Sequence, residues 1–185
     1  KLMYQQFDDT DVSTFLVSDH TSVAQVFETE SFPKAGEQNP KVRLGVVAMT
    51  GGDTTWVDTS EYPVDDLIIA HFNWLPDSSG IYWYAQNRIQ SWLDVLTTSL
   101  HDGATRKLLR DETKAWVDNP LDLKFLSCGS FLFFSERSGW RHLYRVSLDG
   151  TKIEAVTHGE WEVRALHAVG FDESDIVVSG TKDSH

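Results

Sequence analysis

Apolar positions along this chain fall in short runs broken by tight-turn residues, and one such pattern recurs three times at a spacing of about 50 residues. Val42-Arg43-Leu44-Gly45-Val46-Val47-Ala48-Met49 leads into Gly51-Gly52-Asp53 and returns through Thr54-Thr55-Trp56-Val57-Asp58. Leu93-Asp94-Val95-Leu96-Thr97 leads into His101-Asp102-Gly103 and returns through Thr105-Arg106-Lys107-Leu108-Leu109. Leu143-Tyr144-Arg145-Val146-Ser147-Leu148 leads into Asp149-Gly150 and returns through Ile153-Glu154-Ala155-Val156-Thr157. Each copy reads as a strand, a turn rich in Gly and Asp that tolerates positive φ, and a return strand. A second hairpin alternates with the first. It is centred on Pro76-Asp77-Ser78-Ser79-Gly80, again on Ser127-Cys128-Gly129, and again on Asp172-Glu173-Ser174-Asp175. Two hairpins per repeat give four strands, the content of one propeller blade. A β-sandwich also shows short strands between regular turns, but it has no reason to alternate two hairpin types at one period. The pattern predicts an all-β, partial β-propeller of about three to four blades of four-stranded antiparallel sheet, the ring not closed in this fragment.

The blade-like repeats fall at about 41–73, 74–122 and 123–163, with another starting over 164–185. Leu2-Met3-Tyr4-Gln5-Gln6-Phe7 reads as a strand from the first residues, and Ile176-Val177-Val178-Ser179-Gly180 as one near the last. Three repeats are fewer than the usual minimum of four blades, so residues 1–185 are expected to be a fragment of one longer propeller domain. The segment 14–40 breaks the rhythm. It carries Phe15-Leu16-Val17 and Val26-Phe27, then an ordered loop punctuated by Pro33, Gly36, Asn39 and Pro40. Insertions into repeat folds emerge on one face and carry contacts, so 14–40 reads as an extended arm. No stretch sustains the 3.6-residue apolar period of an amphipathic helix.

Composition narrows the function classes. Of 185 residues, 41% are hydrophobic and 24% charged, enough for a packed core. The net charge of −12 argues against a nucleic-acid partner, because phosphate binding needs clustered Lys and Arg. It suits solubility, or steering of a cationic ligand such as a peptide amino terminus. The one cysteine, Cys128, has no basic neighbour in Ser127-Cys128-Gly129, so neither an intrachain disulfide nor an activated thiol is expected. No apolar run reaches the length of a membrane span.

Candidate chemistry is sparse. His20, His71, His101, His142, His158, His167 and His185 show no zinc-type spacing. No Gly-x-Ser-x-Gly elbow occurs, and Ser135-Glu136-Arg137-Ser138-Gly139 reads as a turn between strands. Asp8-Asp9-Thr10-Asp11 lacks the glycine and distal glutamate of a calcium loop. No catalytic, substrate-binding or metal residue and no cofactor is therefore assigned. Three Trp-x-Asp triplets, at Trp56, Trp92 and Trp116, read as structural: indole buries a large face while its N–H finds a carbonyl.

Several stretches together resemble the dipeptidyl peptidase IV family of the prolyl oligopeptidase superfamily. Phe32-Pro33-Lys34-Ala35-Gly36-Glu37-Gln38-Asn39-Pro40-Lys41-Val42 is similar to its Tyr/Phe-Pro-Lys-Ala-Gly-x-x-Asn-Pro-x-Val stretch. Tyr4-Gln5-Gln6-Phe7-Asp8-Asp9-Thr10-Asp11-Val12 resembles the strand and turn before it. Gln86-Asn87-Arg88-Ile89-Gln90 is similar to its Arg-x-Gln blade element, and 135–144 to its Glu-x-Gly-x-Arg-His strand pair. Thr157-His158-Gly159-Glu160-Trp161-Glu162-Val163 resembles its Thr-x-Gly-x-Trp-Glu-Val signature. The order of these motifs is the family's, and they cover nearly the whole chain.

The resemblance implies part of an eight-bladed propeller that caps a C-terminal α/β-hydrolase domain of the same polypeptide, where the serine-type catalytic triad lies. It implies release of Xaa-Pro or Xaa-Ala dipeptides from peptide substrates by the full-length protein, with the propeller gating access and walling the cavity. The family's glutamate pair for the substrate ammonium precedes the strand matching Leu2 to Phe7, so no residue here takes that role. An Arg-Phe subsite known in some members is not matched by Asp118-Asn119-Pro120-Leu121. The fragment alone is therefore expected to be inactive. The family's arm contributes to a homodimer, and Phe15, Leu16, Val17, Val26, Phe27 and Phe32 are the arm residues that could do so here; the alternative is that they fold back onto their own blades. Two other functions stay open: a non-catalytic propeller serving as a protein-interaction platform, and a sugar-binding propeller with paired carboxylates. One cysteine and no Asn-x-Ser/Thr site favour a bacterial envelope or cytoplasmic protein.

Overall fold

The computed structural model describes residues 1–21, 23–120 and 123–182. Leu121, the end of the 74–122 repeat and His185 lie outside the described residues. Every regular element among those described is a β-strand, and the strands form separate antiparallel sheets in two compact units that divide at Ile68/Ile69.

The first unit holds β1 (Leu2–Asp8), β2 (Thr14–Asp19), β3 (Val26–Ser31), β4 (Lys41–Val47) and β5 (Thr55–Trp56). β1, β4 and β5 form one sheet in that order, while among the described residues β2 and β3 pair only with each other. β4 alternates as a half-buried strand should: Val42, Leu44 and Val46 are buried on one face. On the other face Tyr4 and Trp56 both stand opposite Gly45, with ring centroids 5.6 Å apart in an edge-on contact. A Cβ at Gly45 would lie 2.9 Å from the Trp56 ring, so glycine is what lets the two aromatics meet across the middle strand. The Arg43 guanidinium covers the Trp56 ring at 3.7 Å.

A four-stranded sheet follows, built from β6 (Leu67–Trp74), β7 (Gly80–Asn87), β8 (Trp92–Ser99) and β9 (Thr105–Glu112) in sequence order. The next comprises β10 (Lys124–Leu126), β11 (Ser130–Ser135), β12 (His142–Ser147) and β13 (Ile153–Ala155), also in order. β14 (Val163–Val169) and β15 (Ile176–Gly180) form a last pair. β7 is buried at all eight positions, which explains its unbroken apolar run Ile81-Tyr82-Trp83-Tyr84-Ala85: a strand covered on both faces has no reason to alternate. Between the two four-stranded sheets lies a core of Tyr82, Tyr84, Val95, Leu109, Phe131 and Phe133, among others, with Phe125 wedged edge-on against Tyr82 at 5.3 Å.

The two recurring hairpins occupy fixed places in the sheets. β6–β7 and β10–β11 are first and second strands; β8–β9 and β12–β13 are third and fourth. By the same correspondence β4–β5 is a third and fourth strand and β1 a second. The β2–β3 ribbon therefore sits where the other sheets have only the short connections 88–91 and 136–141. Sheet membership begins earlier than the sequence repeat at one point: β6, which starts at Leu67 and ends at Trp74, is hydrogen-bonded into the β7–β9 sheet. The repeat signal lay in the turn chemistry after β6 rather than in β6 itself.

Those turns share one device. Asp8, Asp77, Asp149 and Asp172 each accept a backbone N–H and a hydroxyl from the residue two positions on. Hydrogen bonds to the ionised form lower all four carboxyl pKa values. Asp149 is held at about 2 against an ordinary 3.8, first by the Ser147 hydroxyl and then by Thr151. A pKa depressed on folding contributes stability that is complete above about 3.8 and is lost as pH falls through about 2. Asp149→Asn removes that titration, so urea midpoints of wild type and variant should converge between pH 4 and pH 2; a constant gap would contradict the assignment.

Candidate functional site

The arm is a two-stranded ribbon in regular register, Phe15 opposite Glu30, Leu16 opposite Thr29 and Val17 opposite Glu28. Side-chain alternation divides its residues between two faces. Phe15, Val17, Val26 and Phe32 share one with Glu28 and Glu30, and Phe15 and Phe32 stand 6.5 Å apart with the Lys34 ammonium 5.6 Å from the Phe15 ring. Leu16 and Phe27 share the other with Thr14, Ser18, Thr29 and Ser31. All six apolar side chains are exposed, from 44% at Val17 to 59% at Leu16 and Phe32. The ribbon carries a large apolar content without a core of its own, the usual mark of a contact surface.

A second constellation sits at the ends of β9, β11 and β12. Ser135 and His142 are cross-strand partners, and the Ser135 hydroxyl donates to Asp111 at 2.7 Å. Serine, histidine and aspartate thus stand side by side, but their wiring is not that of a nucleophile. Both ring nitrogens of the buried His142 are engaged elsewhere, Nδ1 with the Thr157 hydroxyl at 3.1 Å and Nε2 with the Gly159 carbonyl at 2.9 Å. A carbonyl only accepts, so Nε2 carries the proton; Thr157 accepts from Leu143 N–H and donates to Nδ1. The imidazole therefore does not accept from Ser135, whose hydroxyl donates to the Asp111 carboxylate and whose oxygen also accepts from Arg137 N–H and Nε–H. The motif residues instead bind segment 157–164 to the sheet. His142 packs edge-on to Trp161 at 5.4 Å, and Arg141 donates to the carbonyls of Val163 and Arg164 while covering the Phe134 ring. Gly159 reaches this position at φ +120°, with Trp161 3.0 Å from where a Cβ would be.

The connection after β9 is pinned in the same way. Gln86, buried within β7, donates to the Val117 carbonyl at 3.1 Å, and Val117 N–H donates to the Gln90 carbonyl at 2.8 Å. Asn87 closes the intervening turn by accepting from the N–H groups of Ser91 and Trp92. Trp116 donates its indole N–H to the Gln90 side-chain oxygen, yet it is exposed rather than buried as expected of a structural tryptophan. A cavity of about 290 Å³ opens beside it, lined by Asp111, Glu112, Trp116, Asp118, Glu136 and Arg137 among others. Among the described residues no three His, Cys, Asp or Glu side chains converge as a metal site would require.

Two features escaped sequence reasoning. Asp94, fully buried in β8, receives Arg110 through Nε at 2.6 Å and Nη2 at 2.7 Å, with Lys107 at 3.0 Å. Arg110 also lies 4.5 Å over the Trp92 ring. The available signal was a carboxylate inside the apolar run Leu93-Asp94-Val95-Leu96, answered by two cations on the return strand. Arg110→Met should cost about 2 kcal/mol in chemical denaturation, below the usual loss for a broken buried pair because Lys107 remains and the cations are part-exposed. A loss under about 0.5 kcal/mol would mean Lys107 alone satisfies the carboxylate. The second is Cys128, which does have a basic neighbour: Arg145 of β12 donates to its sulfur at 3.2 Å and Ser130 lies at 2.9 Å. Reading only the flanking residues missed a contact made across the hairpin.

Antiparallel sheets in chain order, alternating hairpin types and an insertion between second and third strands define a partial β-propeller. Comparison with known proteins gives the family. The description of the dipeptidyl peptidase IV N-terminal region matches residues 1–185, and the chain belongs to that family. Dipeptidyl peptidase 4 of Arthroderma otae is 30% identical over 195 residues, covering 98% of this chain and 25% of the relative. The chain thus spans about a quarter of the length of the curated relatives it matches. Among solved structures, Porphyromonas gingivalis dipeptidyl peptidase 4 superposes with a TM-score of 0.79 at 24% identity, over 90% of this chain and 24% of that one. A Bacteroides ovatus structure gives the same TM-score at 19% identity, over 96% of this chain and 28% of that one. At these identities the structural likeness speaks to the fold.

Proposed function

We propose that these residues are the central part of the propeller of a dipeptidyl-peptidase-IV-like serine peptidase, which releases Xaa-Pro or Xaa-Ala dipeptides from peptide amino termini. The observation that carries this reading is the family match along the entire chain. Its blades follow the repeats at about 41–73, 74–122, 123–163 and 164–185, and they gate substrate access and wall the cavity. The reacting serine, aspartate and histidine belong to a C-terminal α/β-hydrolase domain of the same polypeptide. The local wiring of Ser135, His142 and Asp111 agrees with that division, since the imidazole is bound to Thr157 and Gly159 and the hydroxyl is tied to Asp111 and Arg137 rather than to histidine. The arm, through Phe15, Leu16, Val17, Val26, Phe27 and Phe32, makes a homodimer contact.

The test is hydrolysis of a Gly-Pro chromogenic dipeptide by the full-length protein. Turnover abolished by a serine-directed acylating reagent is the expected result. A folded protein silent on this substrate and on its Gly-Ala counterpart would leave a non-catalytic interaction propeller.

A further inference from the structure

We propose that the cleft between the two four-stranded sheets binds an apolar carboxylate, its hydrocarbon body lying against the β6–β7 and β10–β11 turns and its head group on Arg106. The site involves none of the arm residues and stands apart from the peptidase reading.

Two cavities adjoin where these turns approach the one between β12 and β13. The first, about 380 Å³, is walled mainly by apolar groups: Leu75 and Pro76 from one sheet, and Phe125, Leu126 and Leu148 from the next. Its size falls within the range of small-molecule sites. The second, about 570 Å³, is more polar and carries Arg106, Arg145 and Lys152. Arg106, Gly129 and Leu148 line both, so a cation stands where the apolar space meets the polar one. Both bounding sheets have four strands, so the cleft lies between sheets of equal width.

Charge selects the ligand. Arg106 spends one N–H on the Leu148 carbonyl at 2.6 Å, and Arg145 donates to the Ser130 hydroxyl and the Cys128 sulfur. Among the described residues, none of Arg106, Arg145 and Lys152 is in a salt bridge. Two carboxylates share the second cavity, Asp149 and Glu154. Asp149 is tied into its own turn by the hydroxyls of Ser147 and Thr151. Three cations against two carboxylates leave one positive charge, in a chain whose net charge is −12. A monoanion matches that excess, whereas a phosphate dianion overshoots it. The side chains of Leu75, Pro76, Phe125, Leu126 and Leu148 offer no hydrogen-bonding group, so the body of the ligand must be apolar. A guanidinium at the edge of such a cleft gives a carboxylate charge-assisted hydrogen bonds in a partly desolvated setting.

Isothermal titration of the full-length protein with straight-chain carboxylates from hexanoate to decanoate, below their micelle-forming concentrations, tests the site. Affinity should rise about fourfold for each added CH₂ until the cleft is full. Decanoate should bind at least about tenfold more tightly than decanol, which has the same body and no charge. Arg106→Met should weaken decanoate by about ten- to a hundredfold and leave decanol unchanged. Arg106→Lys keeps the charge and should retain most of the affinity. Arg106 is exposed, so neither substitution disturbs the core, and unchanged melting temperatures check this. Absence of saturable binding, equal binding of decanoate and decanol, or full decanoate affinity in Arg106→Met overturns the site. An Arg106→Lys variant as weak as Arg106→Met overturns the charge assignment. Dipeptide hydrolysis is a separate readout, so any of these failures leaves the peptidase reading standing.

Discussion

Replacing residues 14–31 by a two-residue Asn-Gly turn is expected to convert the proposed full-length dimer to a monomer without lowering its melting temperature. The excision is geometrically clean. Ser13 and Phe32 are a bonded cross-strand pair, about 5.5 Å apart at Cα, which a two-residue hairpin turn can close. The apolar residues lost are all exposed in the single chain, so their removal takes nothing from the core. In a dimer the same side chains would be desolvated, and a few such anchors usually carry most of an interface. Losing them should raise the dimer dissociation constant by at least about a thousandfold, or ~4 kcal/mol. Light scattering on the purified protein gives the readout. An unchanged dimer mass would show that contacts elsewhere suffice, and would remove the arm's assigned role.

Phe131→Ala is expected to destabilise the propeller by about 3–5 kcal/mol. Phe131 is fully buried on β11, with its ring 6.0 Å from Phe125 and its neighbours drawn from both four-stranded sheets. The flanking backbones are held by their ladders, so the site has little freedom to collapse around the missing ring. The lost transfer energy and the residual cavity therefore add. Urea unfolding monitored by tryptophan fluorescence measures the effect. A loss below about 1 kcal/mol would mean that the core between these sheets relaxes far more than a close-packed interior does.

The two hairpin types and their order were legible in the sequence because strand alternation and turn chemistry are local. Asp149-Gly150 and Pro76-Asp77-Ser78-Ser79-Gly80 mark turns whatever surrounds them, and the turns lie where those residues predicted. The motif residues were legible as a set but not in their roles. Thr157, Gly159 and His142 are separated by strand and turn, and nothing local says that the imidazole binds the hydroxyl and the carbonyl. Trp116 carried the expected structural reading, yet only its N–H is committed and its ring faces outward.

The sequence by itself determined an all-β chain of paired hairpins with one polar-flanked apolar insertion, because residue periodicity and backbone preference at Gly, Pro and Asp act over a few positions. Tertiary structure alone decided that β6 joins the sheet after it, that Asp94 is buried against Arg110, that Cys128 meets Arg145, and that the ribbon stays exposed. Each of those depends on which distant backbones lie side by side, and the strength of a buried charge or an exposed edge follows from that placement rather than from its neighbours in the chain.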